Sequence, residues 1–199
     1  MSLEWMLIRG SGLVAFGLLA LATIWGLVLS LGVLPGLTKR LTFAHESLSV
    51  GALLATVVHV VALATHDFVE FDLRALLVPG ASEWRPLAVA WGIVAFYGMT
   101  IVIVSFYLRK NIGQRYWRLL HFASFGVFLG AAAHGIAAGT DTGHPAVFGF
   151  YVAASAVVIG LTAVRVLMIF NPPPERRTAT RRTGRQPPRP EEAPAGADA

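Results

Sequence analysis

Five apolar runs, each near the length that crosses a bilayer, constrain this chain more than any other feature. They extend from about Leu13 to Leu34, Phe43 to Thr65, Leu87 to Leu108, Trp117 to Ala138 and Ala146 to Phe170. About 20 such residues make one span. Lipid offers no partner for backbone groups, so each run must pair its own amides as a helix. The sequence therefore predicts an all-α membrane protein, a bundle of about five transmembrane helices. Composition agrees: 55% of the 199 residues are hydrophobic and 14% are charged, whereas soluble chains carry roughly 25% charged residues. Gly51, Gly126, Gly130 and Gly135 suit the close helix approach usual in such bundles.

The first run is longer than the apolar core of a signal peptide, and no small-residue cleavage site follows it, so it reads as a retained helix. The loops predict an orientation. Lys39 and Arg40 are read in the first connection, and Arg109, Lys110, Arg115 and Arg118 in the third. Asp67, Glu70, Asp72 and Glu83 offset Arg74 and Arg85 in the second, and the fourth holds only Asp141. Basic loops stay in the cytoplasm, which puts the N-terminus outside and the C-terminus inside. Residues 171–199 are rich in Pro, Arg, Ala and Glu, a composition that predicts a disordered cytoplasmic tail behind a 1–170 membrane domain. The net charge of +5 follows this loop and tail pattern, which speaks against a nucleic-acid partner. With no cysteine, thiolate metal sites, iron–sulfur clusters and covalently attached haem are excluded.

The six histidines then stand out. His66 and His144 fall in the outer loops; His45, His59, His121 and His134 fall inside spans. The second and fourth spans run in the same direction, so His45 and His121 lie toward the inner side and His59 and His134 further out. The two spacings, fourteen and thirteen residues, correspond to rises of roughly 21 and 19.5 Å. Ionisable groups inside a membrane are costly and usually functional. Two pairs at two depths point to two haems, each gripped by one histidine from each helix. A single zinc or copper ion cannot reach ligands so far apart when its bonds are near 2 Å. Helical phase supports only one of the two helices. Fourteen residues bring His59 within about 40° of His45, but thirteen leave His134 about 140° from His121. A bend at Gly126 or Gly130, or the tilt of the helix, is then needed. Buried histidines satisfied by neighbouring hydroxyls or carbonyls are the structural alternative.

The segments IRGSGLVAF, the His45/His59 pair, HDFVEFDLRALLVPGASEWRP, IGQRYWRLLH and HGIAAGTDT resemble the ferric reductase-like transmembrane domain family. That family includes the membrane part of NADPH oxidases and, more distantly, the haem subunit of the bacterial methionine sulfoxide reductase system. The resemblance spans about residues 5 to 170. It implies two non-covalent b-type haems, the inner on His45 and His121 and the outer on His59 and His134, and it accommodates the thirteen-residue spacing. Many relatives have six helices where five are read here. The larger ones continue into flavin and nicotinamide domains, whereas no G-x-G-x-x-G or Walker motif occurs in this sequence.

The leading expectation is a transmembrane electron-transfer subunit in a bacterial cytoplasmic membrane. It would be an oxidoreductase component served by a separate flavoprotein or quinol donor and emptied by an acceptor outside. A haem-free membrane scaffold or sensor is the alternative. Haem propionates need cationic partners: Arg115 and Arg118 precede His121, and Arg9 lies at the outer end of the first span, although positive-inside topology accounts equally well for Arg115 and Arg118. Glu46 beside His45 reads as a headgroup-region carboxylate. His66, Asp67, Asp141 and His144 form a weak candidate cluster at the outer mouth. Trp5, Trp84, Trp91 and Trp117 fit an interfacial aromatic belt.

Overall fold

The computed structural model describes residues 3–65 and 72–171; the expected tail, His66 and Asp67 lie outside the described residues. Its long helices are α1 (Leu3–Leu31), α2 (Thr38–Ala64), α4 (Pro86–Tyr107) and α8 (Pro145–Phe170), with a short α3 (Leu73–Leu77) between α2 and α4. After α4 come a single turn, α5 (Arg109–Ile112), then α6 (Gln114–Phe122) and α7 (Ser124–Ala138). Five stretches are long and apolar enough to cross a membrane, α6 and α7 counting together as one. No strand occurs among the described residues. The chain is an all-α integral membrane protein.

Three features differ from the sequence reading. α2 begins at Thr38 and not at Phe43, so Lys39 and Arg40 lie in its first turn and not in the connection before it. The first and fourth spans differ as well. The first helix begins at Leu3, ten residues before the expected Leu13, so Arg9 lies within it and not at its outer end. Its guanidinium is ion-paired with Asp141 of the connection between α7 and α8. The fourth span is also not one helix. It breaks at Ala123, whose N–H bonds back three residues to Leu120 (3.0 Å), the tighter 3₁₀ pattern.

The bundle is built from two antiparallel pairs, α1 with α2 and α4 with α7, and α8 packs on α1 and α7. Phe16 of α1 joins these parts. Its ring lies 5.7 Å from Phe128 of α7, 5.6 Å from Phe150 and 4.4 Å from Tyr151 of α8, and Phe128 is wholly buried. Small residues set the α4–α7 spacing: Val127 packs where Gly98 has no Cβ, and Gly130 lies against Ala95 and Trp91. Arg85, in the left-handed region at φ 45°, donates to the Ala137 carbonyl in the last turn of α7. That contact places a cation where the helix dipole favours one.

By contrast, α2 has no Cα within 8 Å of α6 or α7. The helices that carry the four membrane histidines do not pack on each other. Side chains close the space between them midway along the bundle, where Ala52, Met99 and Val127 form a buried cluster. Ala52 is halfway between His45 and His59, and Val127 is near the midpoint of His121 and His134. A packed partition thus separates two levels at which the helices stand apart.

Candidate functional site

At both levels the imidazoles reach across the gap and meet. The ring centroids of His45 and His121 are 6.0 Å apart with planes crossed at 75°. Those of His59 and His134 are 6.4 Å apart and crossed at 76°. All four side chains are half-buried. The depth pairing expected from the two spacings is present in the fold. The break at Ala123 removes part of the angular offset between His121 and His134, since each residue wound in the tighter pattern advances the helix by about 20° more; the side chains and the helix tilt cover the rest. Gly126 and Gly130, where a bend was expected, both lie within continuous helix.

Three of the four rings are held in the same way. His59 Nδ1 bonds the Ile8 carbonyl at 2.9 Å, His45 Nδ1 the Ala22 carbonyl at 2.8 Å, and His134 Nδ1 the Ala88 carbonyl at 2.8 Å. A carbonyl can only accept, so each Nδ1 carries the hydrogen and each Nε2 keeps its lone pair for another partner. Four residues after each of these carbonyls stands a glycine: Gly12, Gly26 and Gly92. A Cβ on Gly12 would stand 3.1 Å from His59 Cε1, one on Gly26 3.0 Å from His45 Cε1, and one on Gly92 2.6 Å from His134 Nδ1. Each glycine opens a notch in the neighbouring helix through which an imidazole reaches the backbone. The signal was in the sequence, since Gly12 and Gly26 are fourteen residues apart, as are His45 and His59.

His121 is placed differently. Among the described residues its ring nitrogens have no hydrogen-bond partner; its ring stacks on Trp117 (5.2 Å, 28°). Trp117 is therefore more than an interfacial belt residue. Its indole nitrogen and that of Trp25, next to the Gly26 notch, are buried without a partner among the described residues. A buried donor left unpaired costs about 1–3 kcal/mol. Two of them at one level call for an acceptor.

Around His59 and His134 lies a largely apolar cavity, bounded by Gly12, Phe16, Gly92 and Met99 and reaching Arg9 and Asp141. Arg9 is thus near the pair for which it was expected, with its charge already balanced by Asp141. Arg115 and Arg118 are exposed on α6, and among the described residues neither has a polar partner. Glu46 accepts from Tyr107 Oη (3.1 Å) and does not bond His45. The cluster expected at the outer mouth is not assembled from its two described members. Asp141 holds Arg9, and His144 caps α8 by accepting from the Ala146 N–H (3.3 Å). Among the described residues no three His, Asp or Glu side chains gather as a metal site.

Comparison of the chain with family models, curated proteins and solved structures found no match.

Proposed function

We propose that this chain carries electrons across a membrane through two b-type haems, one between His45 and His121 and one between His59 and His134. The observation that carries the reading is the repeated imidazole pair set in a gap between helices that do not pack. Two metal–imidazole bonds of about 2 Å in line, with each ring centre about 1.1 Å further on, put centroids about 6.2 Å apart. The separations here are 6.0 and 6.4 Å.

The residues fit a haem better than a bare ion. A zinc site takes about four protein ligands at one point, and here each level offers two. Two opposed imidazoles would leave room for a flat group with its own four donors, in keeping with the separation of α2 from the α6–α7 span and with the cavity at the His59–His134 level. The unpaired indole N–H groups of Trp25 and Trp117 suit its acidic side groups at the His45 level. At the His59 level, the cavity extends to the Arg9–Asp141 pair.

When bound, such a group would supply a one-electron iron couple held by His45 with His121 and by His59 with His134, a ligand set that suits relay more than substrate binding. The chain's residues do the rest. The Ile8, Ala22 and Ala88 carbonyls fix three imidazole tautomers and make those ligands more basic, as outer partners of metal-bound histidines do. Ala52, Met99 and Val127 keep water out of the path between levels. The basic loops support an orientation with the N-terminus outside, in a bacterial cytoplasmic membrane. A separate flavoprotein or quinol would then deliver electrons on the His45–His121 side, and an external acceptor would take them on the other. The fold alone is also that of a haem-free scaffold, a reading favoured by the backbone acceptors that three histidines already have.

Alanine variants separate the two. The proposal requires His45→Ala and His121→Ala to lose one haem signal, and His59→Ala and His134→Ala to lose the other. Four variants with no pairwise pattern would overturn it.

A further inference from the structure

We infer that His121 is a displaceable ligand, so that the level it shares with His45 can take a small exogenous iron ligand which the His59–His134 level excludes. This rests on the proposed haem sites and goes beyond them, because it makes the two levels chemically unequal.

The inequality is visible on α4. Moving fourteen residues along from Ala88 and Gly92, the step that relates the two notches on α1, leads to Val102 and Phe106. Both differ in a way that denies His121 a dock. The notch glycine is replaced by Phe106, whose ring lies 6.3 Å from that of Trp117 and under the Arg109 guanidinium (4.0 Å). The Val102 carbonyl instead accepts from Ser105 Oγ (2.7 Å). His121 keeps only the stack on Trp117, one turn earlier on the same helix.

Trp117 in turn meets Phe106 of α4, but among the described residues no hydrogen bond ties the His121 ring to another helix. α6 is a nine-residue segment without a single buried residue, joined to α7 through the break at Ala123. His45, His59 and His134 are instead bonded to a different helix from the one that carries them.

The ligand class is a small molecule that binds iron through one atom: carbon monoxide on the ferrous form, cyanide or free imidazole on the ferric form. The exchange is a substitution with no change of oxidation state. The iron–Nε2 bond of His121 breaks, the bond to the incoming atom forms, and His45 stays in place.

The test is carbon monoxide added to the dithionite-reduced full-length protein in detergent, with haem content measured on the same sample. About half of the haem should form the carbonyl adduct in the parent protein. Trp117→Leu should speed its formation about tenfold, the upper end of what an aromatic stack is worth. Gly92→Ala, which evicts the His134 ring from its notch, should make the second haem reactive as well. Ser105→Ala with Phe106→Gly, which gives His121 a carbonyl and a notch, should slow the reaction. Two haems with no adduct, or adduct formation at equal rates on both, would overturn this inference and leave the proposed function standing. Protein without haem would overturn that function itself.

Discussion

Gly26 of α1 faces the ring of His45 so closely that a methyl group there would stand 3.0 Å from Cε1, and through that notch the imidazole reaches the Ala22 carbonyl. The same relationship joins Gly12 to His59 and Gly92 to His134, so three of the four candidate ligands depend on a side chain that is missing from another helix.

Substitution by alanine measures that dependence. In a helix, Gly→Ala ordinarily stabilises by about 0.5–1 kcal/mol, and Gly126, with nothing within 4 Å, should show that gain. Gly92→Ala should instead destabilise by about 1–3 kcal/mol, the usual penalty of overpacking. It should also shift the absorption of one haem and leave the other unchanged. Thermal unfolding followed by tryptophan fluorescence and by haem absorbance separates the two effects. Equal responses at Gly92 and Gly126 would contradict the notch.

The crossed ring planes predict a magnetic signature. Imidazoles at 75° and 76° leave the two iron orbitals that they share nearly equal in energy. Both ferric sites should then give strongly anisotropic low-spin signals with one large g value. Electron paramagnetic resonance of the oxidised protein at helium temperature reads this directly. A well-resolved rhombic spectrum, the mark of parallel planes, is the contrary result.

The break at Ala123 can be tested by register. One alanine inserted after Ala123 turns His121 by about 100° and moves it about 1.5 Å relative to His134. The expected product keeps the His59–His134 haem and loses the other. An insertion without effect on either would show that the break does not set the register.

Arg9 and Asp141 connect α1 to the α7–α8 connection beside the cavity. Their side chains are 29% and 21% exposed, so solvent screens the pair only in part. Arg9→Gln or Asp141→Asn should each destabilise the protein by about 1–3 kcal/mol, because each leaves a partly buried charge unmatched. Arg9→Gln combined with Asp141→Asn should destabilise by less than the sum of the two. A double-mutant cycle gives the coupling, and strict additivity would deny the pair a role.

Several of these features were legible in the residues alone. Long apolar runs announce spans whatever their partners, and two histidine spacings of similar length on same-direction helices are enough to predict two levels. The remainder depends on contacts that one segment does not reveal. Arg9 gives no sign in its own segment of the carboxylate that balances it, which is 132 positions away. The break falls on Ala123, between residues that give no proline or glycine warning. Gly12, Gly26 and Gly92 read as ordinary small residues until the facing histidines are in place. Only the fourteen-residue step shared by Gly12 and Gly26 with the histidines they receive could have marked them.

The most direct measurement is haem per chain in the detergent-purified protein, by pyridine haemochrome together with a reduced-minus-oxidised spectrum. The account predicts about two b-type haems per chain, with both irons six-coordinate in the oxidised protein. Well-folded protein from haem-replete cells that contains no haem would contradict it and leave a membrane scaffold with docked histidines.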